Sequence, residues 1–543
     1  MAKTRVLLNG KIYTVNKAQP WAEAVVIVDN KIAYVGDNEG AKAYVTEGVV
    51  PEDLDGRLML PGLIDGHTHP FMAIAFASMM RFYPDQDLDG IKATIKKYMQ
   101  ENPDMKAYMG MGWADTYFGE VGPNKKILDE ICPDKPMVLL SSSGHCGWAN
   151  SKALEVAHVD ASTPDPDAEA GQLYVRDKDG NPTGYIKECT CMNHVLGAYE
   201  YIDESKLGAC AESFAKQCSE LGLTALHDCG NYEFCEYLIN DDLIEVMESE
   251  DCPLRIDLCG YVGNKANMEV ALKESIDLHQ KFHSDRLRAT FVKILNDGTL
   301  ENFSAAMPGV YPDERTVAPT MNTDELVYWG EKAAKAGLDM NVHAIGSLTV
   351  RGVLEAAGRL RAMGYNDMRI TCSHSAYVFP EDIELFKKYN VLANSTARWF
   401  GMIPDLETEK FVSTITRAMP YPMKSILKAG GKLSFSSDFP TDMTTFLPMP
   451  NFEVALTRQL VGEKDSFVNQ KEERLTLEEV IEAYTINNAW QMHMEDKIGS
   501  IEVGKYADLV VFEQNLFEVD PYAMHDVLVH ETIMDGVTRF KRA

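Results

Sequence analysis

Eight short runs rich in β-branched and apolar residues recur along the middle of the chain, and most are followed by a segment with helical spacing. The runs are LMLPGLID (58–65), LTALHD (223–228), LRIDLCGYV (254–262), ATFVKIL (289–295), LDMNVHAI (338–345), RITCSHSA (369–376), VLANST (391–396) and KLSFSSD (432–438). TDELVYWGEKAAKAG, before the fifth run, and LTVRGVLEAAGRLRAMG, after it, carry apolar residues three and four apart and end in Gly. Eight such βα units predict an α/β fold of the TIM-barrel type, whose functional residues gather at the carboxyl ends of the strands. An open doubly wound sheet would have the same strand texture, so the position of the polar residues has to separate the two.

Those residues fall at one end of the runs. His67 and His69 close the first run in LMLPGLIDGHTHP, and their i, i+2 spacing puts both side chains on one face. Lys293 lies in FVKILNDG among apolar neighbours, where an unpaired ammonium is costly to bury. His343 ends the fifth run in NVHAIG, His374 the sixth in CSHSAY and Asp438 the eighth in FSSDFP. A single buried histidine is more often a satisfied core residue than a ligand. Four histidines, a lysine and an aspartate, each at the same end of a strand, predict a shared metal site. Imidazole nitrogens and carboxylate oxygens suit Zn²⁺, with Mn²⁺, Fe²⁺ and Ni²⁺ also compatible. Such a metal lowers the pKa of water from about 15.7 toward 7, and Asp438 could orient that water and take its proton.

The rest of the chain frames this core. Residues 1 to about 58 alternate in RVLLNGKIYTV and EAVVIVDNKIAYVGD, with Asp29-Asn30 as a hairpin turn, and ADLVVFEQN and VLVHETIMDGVTRFK repeat that texture near the C-terminus. We therefore expect residues 1–58 and 496–543 to form a composite β-domain, with 59–495 as the barrel. The interval 70–220 is too long for one connection and reads as an insertion after the first strand, a lid over the site.

The 543 residues, 45% of them hydrophobic, suffice for a large core, and the net charge of −30 argues against nucleic acid or anionic membranes as partners. MAKTRVLLNGKIYTVN lacks the apolar core of a secretory signal, and no apolar run is long enough to span a membrane, so a cytoplasmic location is expected. The 11 cysteines include no C-x-x-C pair and read as reduced core residues.

PGLIDGHTHP, FVKILNDG, NVHAIG, SHSAY, SSDFPTD and the closing AYTINNAWQMHMEDKIGSIEVGKYADLVVFEQN resemble the amidohydrolase superfamily, in particular its amidohydrolase-3 (YtcJ-like) branch, which includes N-substituted formamide deformylase. The similarity runs from GKIYTV to ADLVVF. It implies a distorted TIM barrel with a composite β-sandwich, and a divalent metal centre, Zn²⁺ first, of one or two ions. It further implies that His67, His69 and Asp438 hold one ion, that His343 and His374 hold a second, and that Lys293, carboxylated by CO₂, bridges them. A homodimer acting on a small molecule is the expectation that goes with it.

GMGWADTYFGE and GHCGWANSKAL in the insertion resemble the family too. They make His145 a candidate for polarising the scissile carbonyl or gripping a substrate carboxylate, and Trp113 a candidate pocket wall, with a lid-core aromatic as the alternative. His227, in ALHDCG, lines the pocket or serves the core. VLANSTARWFG departs from the family texture, placing Asn394, Arg398 and Trp399 where a Gln-Pro pair and a later His are common. Arg398 there would meet an anionic substrate or form a surface ion pair.

The reading is a metal-dependent hydrolase that cleaves an amide, N-acyl or N-formyl C–N bond, with Asp438 and His145 catalytic and Trp113, His227, Arg398 and Trp399 around the substrate. The alternatives are a deaminase or cyclic imide or amidine hydrolase with one metal, and a non-catalytic binding barrel.

Overall fold

The computed structural model describes residues 3–543 except 78, 84, 115–116, 169–170, 232–240, 264, 301, 310, 312–315, 402–417 and 442–445. Residues 115 and 116 of GMGWADTYFGE and 442 of SSDFPTD therefore lie outside the described residues.

The eight runs become eight parallel strands of one sheet: β1 (Leu63–Thr68), β2 (Leu223–Asp228), β3 (Arg255–Val262), β4 (Leu287–Leu295), β5 (Asp339–Ala344), β6 (Ile370–His374), β7 (Val391–Ser395) and β8 (Lys432–Phe435). Each is hydrogen-bonded to its neighbour in chain order, so the sheet curls until β8 approaches β1 and nearly closes a barrel. The helices expected around β5 form as Thr323–Lys335, opened by an Asn322/Glu325 capping box, and Ser347–Ala362.

One expectation changes. LMLPGLID is two strands rather than one: Leu58–Pro61 pairs antiparallel with Leu509–Phe512, and only Leu63–Thr68 enters the barrel. Both sheets need a buried apolar strand there, so the run is continuous in sequence although the chain changes sheets. The change happens at Gly62, where a Cβ would collide with the Thr224 side chain on β2.

The seam between β8 and β1 is bridged by side-chain amides rather than by a strand ladder. Asn488, on the helix Ile486–Gln491, donates its amide to the carbonyls of Ile64 (2.6 Å) on β1 and Phe435 (2.9 Å) on β8. Gln491 adds a bond to the Gly66 carbonyl at 3.1 Å and accepts from Ser434 Oγ at 3.0 Å. INNAWQ thus staples the barrel where strand pairing stops. Asn488→Ala removes both of these bonds to the strand carbonyls. We expect it to cost on the order of 2–4 kcal/mol, read as a lowered urea midpoint.

The termini build two further sheets. A six-stranded sheet joins Val537–Lys541, Val529–Met534 and Leu509–Phe512 to Leu58–Pro61, Lys11–Tyr13 and Trp21–Ala22. A four-stranded sheet holds Lys31–Gly36, Ala24–Val28, Thr4–Leu8 and Glu52–Asp53. Their facing side chains, among them Leu7, Val25, Ile27, Met59, Leu509 and Ile533, share one apolar core, the composite sandwich that the family resemblance implies. The expected turn at Asp29-Asn30 joins two antiparallel strands, with Asp29 in the left-handed region at φ 55°.

The segment after β1 forms its own six-stranded sheet, from Met80–Arg81 through Tyr108–Trp113, Met137–Ser141, Cys146–Ala149 and Pro182–Lys187 to Leu173–Arg176. Among the described residues, no helix is long and apolar enough to cross a membrane.

Candidate metal centre

The carboxyl ends of β1 and β8 meet at the seam, and two backbone bonds fix how. Asp438 N–H donates to the His67 carbonyl and His69 N–H to the Phe439 carbonyl, both at 2.8 Å. This clasp brings Asp438 Oδ1 to 3.3 Å from the Nε2 of both His67 and His69. The three donor atoms lie within 4.8 Å of one another, on buried residues. Asp438 adopts φ 56° and His374 φ 70°, a left-handed conformation uncommon for residues other than Gly, so the backbone is held under strain where the cluster forms.

The other strand ends complete the cluster. Lys293 Nζ on β4 stands 3.1 Å from His67 Nε2, and the lysine is only 1% exposed. The His374 ring lies 4.9 Å from that of His67 and 4.5 Å from that of His343. All six residues singled out on strand ends therefore occupy one place, with His67, His69 and Asp438 at one edge and His343 and His374 at another.

Hydrogen-bond partners set the imidazole tautomers. His69 Nδ1 faces the Gly230 carbonyl at 2.6 Å; a carbonyl only accepts, so Nδ1 carries the proton and Nε2 turns to Asp438 with its lone pair. His343 Nδ1 meets the Asp297 carboxylate at 2.9 Å. Asp297 is itself fixed by the N–H groups of Ile345 (3.1 Å) and Gly346 (2.7 Å) and by the Thr349 hydroxyl (2.9 Å). His67 Nδ1 lies 3.1 Å from Ser373 Oγ, whose own proton goes to Asn341 Oδ1 at 2.5 Å, so this serine accepts from the histidine.

Burial pushes His67 and His374 well below the ordinary histidine range, and the neighbouring Lys293 and imidazoles add to the effect. Burial lowers His343 as well, against the opposing pull of Asp297. Near neutral pH these rings are uncharged, the form that binds metal. Two carboxylates beneath them are raised to about 7 by burial: Asp65, which accepts from the N–H of Ser437 (3.0 Å) and His67 (3.2 Å), and Asp228, which accepts from that of Gly230 (3.0 Å).

The donor set fits a divalent cation. Nitrogen and carboxylate oxygen suit Zn²⁺ and its first-row neighbours, and His374 Nδ1 is buried with no hydrogen-bond partner among the described residues. The partners behind the rings orient ligands in the manner that usually supports metal affinity. Ser373→Ala should release His67 and weaken metal binding about 10–100-fold, measured by competition with a chromophoric chelator.

The remaining candidates divide. His145, from the inserted sheet, reaches the cluster with its ring 6.0 Å from that of His343. The ring of half-buried Trp399 lies 5.5 Å from that of His374 at an interplanar angle of 30°. Arg398 sits beside it, its backbone N–H donated to Asn451 Oδ1 at 2.8 Å. His227 stacks on Phe291 at 3.9 Å beneath the cluster and lies 3.4 Å from Asn341 Nδ2. Trp113 is buried in the core of the inserted sheet with Phe118, Trp148 and Tyr185, its indole N–H on the Leu139 carbonyl at 3.1 Å, the place of the lid-core alternative.

Sequence reasoning missed Asp297, Ser373, Asn341, Asp65, Asp228 and Glu188. The first five sit inside or beside the quoted motifs: Ser373, Asn341 and Asp65 lie one or two places from a candidate ligand, Asp297 four places from Lys293 and Asp228 next to His227, and that proximity was the available signal. Glu188 had none.

A family model described as the amidohydrolase family matches residues 52–540. The exoenzymes regulatory protein AepA of Pectobacterium carotovorum is 31% identical over 409 residues, 74% of this chain and 86% of that protein. N-substituted formamide deformylase of Arthrobacter pascens is 24% identical over 99% of this chain and 98% of its own length. Among solved structures, an uncharacterized metal-dependent hydrolase from Pyrococcus horikoshii OT3 superposes with a TM-score of 0.72 at 22% identity, covering 96% of this chain and 99% of that one, which bears on the fold alone.

Proposed function

The chain belongs to the amidohydrolase family and is a hydrolase of carbon–nitrogen bonds, and from that premise we propose that it cleaves an amide, N-acyl or N-formyl group of a small molecule at the β1/β8 seam. The observation that carries the proposal is Asp438 Oδ1 equidistant, at 3.3 Å, from two imidazole nitrogens on the adjoining strand end.

In this reading His67, His69 and Asp438 would hold one divalent ion and His343 and His374 a second, with Lys293, as N6-carboxylysine, a further anionic ligand. A divalent ion there supplies Lewis acidity, enough to polarise a carbonyl and to bring the pKa of water down to about 7. Carboxylation also explains the lysine chemically: its amine adds CO₂, loses a proton and becomes an anion, so no ammonium is left against His67 Nε2. Asp438 takes the proton of the attacking water on a carboxylate oxygen and passes it to the leaving nitrogen. His145 stabilises the charge that grows on the acyl oxygen, Trp399 and His227 shape the pocket around the substrate, and Arg398 offers a cation to an anionic one. Trp113 acts at a remove, by holding the inserted sheet as the lid that brings His145 over the site.

Purified protein supplied with Zn²⁺ should release amine and acid in equal amounts from members of a panel of N-formyl and N-acyl amines. Release of ammonia from ring substrates, with no amide cleaved, would replace this reading with the deaminase one. Zn²⁺ identity, Lys293 carboxylation and a cytoplasmic homodimer belong to the same proposal. Elemental analysis, anomalous diffraction, cell fractionation and sedimentation test them.

A further inference from the structure

Glu188 is buried, 4% exposed, and stands at the junction between the inserted strand Pro182–Lys187 and the helix Cys189–Gly197. Its backbone is at φ 66° and ψ 161°, a region that side-chain-bearing residues rarely adopt. It precedes the helix but makes no capping bond to it, although capping is what a polar residue at that position ordinarily does. Instead its N–H donates to the carbonyl of His145 at 2.8 Å, and its Oε2 accepts from Nδ1 of the same histidine at 2.8 Å.

The other carboxylate oxygen is held just as closely. Ser304 Oγ donates to Glu188 Oε1 at 2.5 Å, from the loop that follows β4. That loop also carries Asp297, the partner of His343. Gly298 lies between the two, and a Cβ there would strike both Ser304 Oγ and Glu188 Oε1. One loop therefore orients a histidine of the barrel through Asp297 and a histidine of the inserted sheet through Ser304 and Glu188. Burial raises the Glu188 carboxyl, but His145 and Ser304 outweigh it and hold the group below the usual carboxylate range, so it accepts as an anion.

We propose that Glu188 is the positioning residue for His145, clamping its main chain and its Nδ1 so that this histidine of the inserted sheet presents Nε2 to the reacting group. The strain at Glu188 is the structural counterpart of that role: a relaxed backbone would take the carboxylate off the imidazole. The proposal rests on the reading of His145 as a group that meets substrate, and its test has one arm independent of turnover.

In that arm, ¹⁵N-histidine-labelled full-length protein is compared by NMR with His145→Gln to find the His145 ring signals. These should report Nδ1 protonated in the wild type, alongside the Nε2–H that meets the acyl oxygen, and loss of the Nδ1 proton in Glu188→Ala. Unchanged His145 signals in that variant would overturn the proposal, whatever the enzyme turns over. In the kinetic arm, Glu188→Ala should lower kcat about 10–100-fold with KM little changed, and should add nothing in a His145→Ala background. Equal losses in both backgrounds would mean that Glu188 acts only on the fold and would also overturn it. Glu188→Gln keeps the side-chain volume, and the same cycle with it decides the matter where the alanine variant yields no folded protein.

Discussion

Asp438→Asn should abolish turnover while the protein stays folded. The substitution is nearly isosteric, and the clasp at the seam uses the backbone N–H of Asp438 and the carbonyl of Phe439, neither of which it alters. What it removes is an anionic oxygen shared between two imidazoles at 3.3 Å. A group that both faces the cation and relays a proton should cost at least the factor of about 10²–10⁴ usual for a general acid or base, read as kcat on a substrate established with wild-type enzyme. Near wild-type kcat would remove Asp438 from the mechanism. A large drop in thermal midpoint would show instead that the carboxylate matters to the seam.

His67→Ala and His69→Ala should each abolish stoichiometric metal binding, the second large effect. Both rings come from one strand end, and with Asp438 they are the only described trio with donor atoms within 4.8 Å of one another. Elemental analysis after gel filtration should show metal in the wild type and little in either variant. A ligand present at a hundred times its dissociation constant contributes about 2.7 kcal/mol of stability. Stripping with a chelator should accordingly lower the thermal midpoint of the wild type and leave that of the variants unmoved. Variants that retain a full complement of metal would place the ion elsewhere.

His67 belongs to a larger effect than its own ligand atom. Lys293, Ser373 and Asp438 all converge on it, from β4, β6 and the end of β8. Its removal takes the imidazole away from both Lys293 Nζ and Ser373 Oγ, so loss of metal in His67→Ala should come with lower stability than in His69→Ala.

The primary structure carried the barrel and its functional end. Strand texture is local, because β-branched runs, helical spacing and terminal glycines act within about a dozen residues. In a parallel barrel all strands share one direction, so residues marking carboxyl ends are placed together before any contact is known. Hence His67, His69, Lys293, His343, His374 and Asp438 could be grouped from a linear reading, and the structure gathers them at one mouth. Patterning does not report which sheet an apolar run joins. LMLPGLID was legible as buried strand, but its division at Gly62 depends on Asp508 and Thr224, far along the chain.

What only the tertiary structure decided is the company those residues keep. His145 finds Glu188 at a separation of 43 residues, His343 finds Asp297 at 46 and His67 finds Ser373 at 306. Hydrogen bonds reach about 3 Å and have no period along a chain, so nothing in the sequence announces a partner brought up by folding. Trp113 illustrates the same limit, since a buried aromatic reads alike whether it faces a pocket or the core of the inserted sheet, as it does here. The sequence determined which groups could hold a metal and at which end of the strands. The fold determined which nitrogen His67, His69 and His343 present, because that depends on the acceptor behind the ring.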